Sequence, residues 1–223
     1  MAYPTVSGPY GLKPINLIGG QVFAGQTREL PIASNTAGVI NNGDIVRLSS
    51  GFIVKETGTT TVSATGVVGV FVGVSYTNPS TGQKLFANAY PGSIVASDIV
   101  AYVVDDPDAL FQVAVTGGAT STTITPISGT ILGNNMAISQ PSTNTTISGN
   151  SNIGAYDSGS NTAFTLPFRV VGLIDASVNA SGNYSEVIVK WNTPYITLTE
   201  GAPNVVAYNG GHSYLNPTGT ANV

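Results

Sequence analysis

Apolar and polar positions alternate with a period of two along much of this chain, in short runs. The clearest run is residues 66–75, GVVGVFVGVS. There Val68, Val70, Val72 and Val74 fall on one face, and Gly69, Phe71, Gly73 and Ser75 on the other. A β-branched face repeating every second residue predicts a core-facing strand. Its glycines permit close approach of another strand or an aromatic ring. Ile45, Val46 and Leu48 begin a strand after the Asn42-Gly43-Asp44 turn, and Phe52, Ile53 and Val54 follow beyond Ser49-Ser50-Gly51. That spacing predicts a hairpin. Further strands are expected within 22–32, in a strand-turn-strand pattern over 94–104, and over 111–115, 164–175 and 187–192, with a strand pair in 194–208. No long segment carries a helical stripe of good helix formers. Roughly ten short strands predict an all-β protein, a compact antiparallel barrel or sandwich.

Two stretches depart from this pattern. Residues 1–20 read as an extended N-terminal arm. Pro4, Pro9 and Pro14 lack amide donors, and Gly8, Gly11, Gly19 and Gly20 weaken regular structure. Tyr3, Tyr10, Leu12 and Ile15 give the arm apolar anchors, for a neighbouring subunit or as a strap over its own core. Residues 116–162 are rich in Thr, Ser, Asn and Gly with recurring apolar islands, and read as a loop-rich excursion or a small β subdomain. The β body is then expected from 21–115 and 163–208, followed by a flexible or docked tail over 209–223.

Composition sharpens the picture. Of the 223 residues 42% are hydrophobic, enough for a packed core, yet only 8% are charged, against about 25% in an ordinary globular domain. Such a surface has few charges to desolvate when another subunit covers it. Eleven acids against seven Lys and Arg give a formal charge of −4. No basic stripe supports nucleic-acid binding. With no cysteine, disulfides and thiolate metal sites are excluded. The start lacks a basic n-region and an apolar h-region, and no apolar run is long enough for a membrane-spanning helix. The sequons at Asn144, Asn179 and Asn183 are expected by chance in so Asn- and Ser/Thr-rich a chain.

Catalytic chemistry finds no foothold. The single histidine, His212, sits in a glycine- and asparagine-rich tail, no G-x-S-x-G elbow is present, and no spacing selects a carboxylate pair. Phosphate-binding and dinucleotide fingerprints are missing, so neither enzymatic activity nor a cofactor is expected. The one local acidic concentration is Asp105, Asp106 and Asp108 around Pro107. Three readings stay open for it: a solvated Asx-type turn, an acidic contact with a partner, or oxygen ligands for calcium without the EF-hand pattern. The turn is expected to change the chain's direction or interrupt the sheet.

Four segments carry a resemblance. GPYGLKP at 8–14, NGDIVRL at 42–48, GVVGVFVGVSYTNP at 66–79 and AYVVDDPDALFQV at 101–113 resemble, in this order, the capsid decoration or cement proteins of tailed bacteriophages. The resemblance covers about the first half of the chain. It implies a virion structural protein, a homo-oligomer with a trimer favoured, on the outer surface of the head. There it would bridge major capsid protein subunits and stabilise the expanded shell. On this view the arm lies across the capsid, and deleting residues 2–18 is expected to spare the β body while weakening particle binding. A tail, fibre or head-completion protein, possibly glycan-binding, is the alternative.

Overall fold

The computed structural model describes residues 6–17, 21, 23–60, 67–141, 149–159, 162–163 and 165–192. Among them the regular secondary structure is nearly all β. The strands are β1 (Lys13–Leu17), β2 (Arg28–Pro31), β3 (Ile45–Ser49), β4 (Phe52–Lys55), β5 (Gly69–Thr77), β6 (Lys84–Ala87), β7 (Val100–Val104), β8 (Ala109–Thr116), β9 (Ile127–Ser128), β10 (Asn135–Ser139), β11 (Gly154–Tyr156), β12 (Phe168–Leu173), β13 (Asn183–Tyr184) and β14 (Glu186–Trp191). The only helical pieces are two 3-10 turns, Gly129–Ile131 and Asp175–Ser177. The all-β expectation is met, and Trp191 ends β14 as the pattern over 187–192 implied. The strand pair expected in 194–208, the tail, Tyr3 and His212 lie outside the described residues.

The strands form a barrel, a sheet and a short two-stranded ribbon of β9 with β13. β8, β14, β12, β10 and β11 close into a ring in which only β8 and β11 run parallel. Closure leaves the ring no free edge. Phe111, Met136, Ile138, Ile153, Phe168 and Trp191 fill the interior and are fully buried. Trp191 meets Phe111 edge-on at 5.4 Å and Phe168 at 5.6 Å between ring centroids. Each such side chain contributes roughly 1.5–3 kcal/mol by leaving water. The second sheet runs β2–β7–β5–β3–β4 with β6 added to β5, all antiparallel. It covers its own core of Ile40, Val46, Ile53, Phe71, Tyr90 and Val103. The β3–β4 hairpin turns where expected, with Ser49 opposite Phe52 and positive φ at Ser50 (51°) and Gly51 (84°).

Two expectations need correction, and one open alternative is decided. The run 66–75 does not present one apolar face. A bulge between Phe71 and Gly73 shifts the register of β5 against β7. Val67 and Val70 pack in the barrel core, while Val68, Phe71, Val74 and Tyr76 pack in the sheet core. Both faces of β5 are covered, so strict alternation would have left one side of one core empty. Secondly, residues 116–162 are no excursion from the body, because β10 and β11 are two of the barrel's five strands and their polar flanks hide the fact in the sequence. Of the two readings of the arm, residues 13–17 take the strap over the chain's own core. β1 pairs with β8 from Lys13 opposite Gln112 to Leu17 opposite Ala109, and Leu12 is 2% exposed in the barrel core. The body is therefore divided differently from 21–115 plus 163–208: residues 28–104 build the sheet, and β1 with 109–191 build the barrel.

Candidate interaction site at the seam and the acidic turn

The two units meet along a seam built from close backbone contacts. At its centre Gly11, Gly43 and Ser151 touch. A Cβ on Gly11 would lie 2.6 Å from the Ser151 Cβ and 2.8 Å from the Gly43 carbonyl oxygen, and both glycines hold positive φ. The Leu12 amide donates to Gly43 (3.0 Å), the Gly11 amide to Ile153 (3.0 Å) and the Ser151 amide to Asn42 (2.7 Å). Beneath them Asp44, wholly buried, accepts from the Ser151 hydroxyl (2.6 Å), the Asn41 amide (2.9 Å) and the Lys55 ammonium (2.8 Å). The turn signal Asn42-Gly43-Asp44 announced the bend; nothing in it announced that the Asp44 carboxylate would join three chain segments. A second stitch lies beyond it, where the Gln140 side chain donates to the Glu56 and Gly58 carbonyls at 2.9 and 3.0 Å.

The arm anchors fare unequally. The Tyr10 hydroxyl donates to the Glu186 carboxylate, which also accepts from Gln112 at 2.8 Å. Burial, reinforced by that carboxylate, pushes the Tyr10 phenol well above its ordinary range. Tyr10 and Leu12 are thus committed to the chain's own barrel rather than offered to a neighbour. Ile15 occupies the bulge between Pro14 and Asn16 and is only half-buried.

The acidic turn links β7 in the sheet to β8 in the barrel, the change of direction its proline predicted. Its three carboxylates diverge. Asp105 pairs with the half-exposed Arg28 at 3.1 Å. Burial still pushes the Asp105 carboxyl up, with Arg28 opposing, because a guanidinium so open to water attracts weakly. Asp106 accepts from the Asp108 amide at 2.8 Å, an Asx turn, and Asp108 is exposed. Among the described residues no three acids or imidazoles are grouped to hold a metal ion, so the calcium reading has no geometric support there. Beside the turn, Leu17, Phe23, Ala24 and Pro107, together with Asp105 and Asp106, line a cleft of about 300 Å³. The structure thereby brings the end of the arm and the acidic turn together. Sequence reasoning missed Phe23 and Arg28, whose roles depend on a pairing between strands distant in sequence.

A pocket of about 540 Å³ lies elsewhere, between 36–40, 54–57, 91–93 and 140–141, and no sequence-predicted site residue lines it. No helix among the described residues is long and apolar enough to cross a membrane. No protein-family model, curated protein or solved structure matches this chain.

Proposed function

We propose that this chain is a virion structural protein that binds the outside of a tailed-phage head and bridges neighbouring major capsid protein subunits, acting as a trimer. One observation carries the reading beyond resemblance. The segments 8–14, 42–48, 66–79 and 101–113 are far apart in sequence, yet they interlock. Leu12 bonds Gly43, the Gly43 amide bonds Phe71 (2.8 Å), and β5 pairs with β7 just before the acidic turn. The four segments thus form one continuous framework. A framework clamped by a closed barrel and a buried ion pair suits a part that bears load on a shell. The exposed Asp108 and the cleft beside Asp106 are the contact we assign to a basic patch on the capsid.

The test is native mass of the purified protein, then particle imaging after mixing with expanded capsids. Trimeric mass and discrete density at local threefold positions support the proposal. A stable ring or elongated trimer that ignores capsids overturns it in favour of a tail component.

A further inference from the structure

The second sheet carries an aromatic slot on the face turned away from its core. Leu85 and Ala87 of β6 pack inward, so alternation turns Phe86 outward, where it is 73% exposed. That is the largest exposure of any big apolar side chain among the described residues. Beside it opens a concavity of about 340 Å³, lined by Phe86, the half-buried Tyr102, Gly73, Asn88 and Thr27. Gly73 is what keeps it open. A Cβ there would stand 3.2 Å from the Ala87 carbonyl oxygen and 3.8 Å from the Tyr102 ring. The Tyr102 hydroxyl is oriented by donating to Ser75 at 3.3 Å and keeps acceptor capacity.

We propose that this slot binds a neutral glycan, one or two pyranose rings at a time. No charged side chain lines it, which disfavours an ionic ligand. Two aromatic rings beside a glycine floor suit a flat ring with C–H faces. Its rim offers a carboxamide (Asn88), a threonine hydroxyl (Thr27) and a phenol (Tyr102). A purely apolar guest, such as a partner's leucine, would desolvate the Asn88 carboxamide and the Thr27 hydroxyl without offering them a hydrogen bond. A sugar satisfies them while its C–H face covers the ring of Phe86. The volume sits at the lower end of small-ligand sites, about 300–1,000 Å³, which limits occupancy to a short saccharide.

The intact protein is mixed with di- and trisaccharides of glucose, galactose, mannose and N-acetylglucosamine, and binding is followed by saturation-transfer NMR. We expect at least one to bind with Kd in the millimolar range, with transfer concentrated on ring C–H protons. Phe86→Ala should weaken it at least tenfold and Asn88→Ala several-fold. Both side chains are exposed, so melting temperatures should match the wild type. No binding by any of the four sugars, or equal binding by the Phe86→Ala variant, overturns the assignment. So does loss of binding to expanded capsids by Phe86→Ala alongside silence toward sugars, which would make the slot a protein contact. Capsid binding unaffected by Phe86→Ala leaves the proposed virion role intact whatever the sugars do.

Discussion

Individual side chains divide between holding the fold and facing outward, and simple substitutions separate the two. Leu12 is buried in the barrel core, so Leu12→Ala should cost about 2–5 kcal/mol in denaturant unfolding. A free arm anchor would cost almost nothing. Asp44→Ala removes the buried carboxylate that faces Lys55 and Ser151; we expect a loss of about 3 kcal/mol, measured the same way. The two outer aspartates are distinguishable. Asp106 caps the turn through the Asp108 amide, so Asp106→Ala should cost about 1 kcal/mol. Asp108→Ala should leave stability within about 0.5 kcal/mol, so lower capsid occupancy in that variant reports contact alone, and unchanged occupancy removes Asp108 from the interface. Tyr10 supplies a pH signature. Its folded-state pKa is raised, so its contribution is complete below about pH 10, the unfolded value, and is lost as pH rises through the higher folded value. Burial raises the Tyr90 phenol as well, so ultraviolet titration should show late tyrosine ionisation whose amplitude falls by one residue in Tyr10→Phe.

At the scale of elements, the arm and β5 decide how the units join. Truncation up to residue 9 spares Tyr10, Leu12 and β1, and should leave the melting temperature almost unchanged. Removing residues 2–18 strips a strand from β8 and a core leucine, so the expectation that the body survives that deletion is reversed; circular dichroism checks both. In β5, a Cβ on Gly69 would lie 2.0 Å from the Val104 carbonyl oxygen. Gly69→Ala should therefore part β5 from β7 and cost several kcal/mol, or prevent folding. The far end of the same strand is pinned by Asp98, which accepts from the Thr77 amide (3.0 Å) and hydroxyl (2.7 Å) and from Lys84 (2.9 Å). The Thr77 amide and Lys84 hold its carboxyl well below the usual range. That support is present above about pH 4 and fades only as pH falls through the depressed value, so hydrogen exchange at the β5–β6 hairpin should stay slow at mildly acid pH.

Across the whole molecule, the alternation in 45–49, 52–55, 69–75, 111–115 and 187–191 determined that these residues are strands, because period two follows from backbone geometry alone. The low charge and the absence of cysteine likewise bound the chemistry before any fold is known. The glycines of β5 were legible as sites of close approach, since only a missing Cβ permits one. What the sequence did not determine is partnership. Whether Val70 faces the barrel and Val74 the sheet depends on a bulge created by two cores competing for one strand. Whether 116–162 wanders or closes a barrel depends on strands it meets only in three dimensions, since Met136 and Ile138 need Phe168 and Phe111 beside them before their short run can be read as core. Arg28 beside Asp105, Asp44 beneath Ser151 and Gly73 between Phe86 and Tyr102 are likewise products of tertiary structure. A local pattern reports which face a side chain takes, whereas long-range pairing alone fixes what that face will meet.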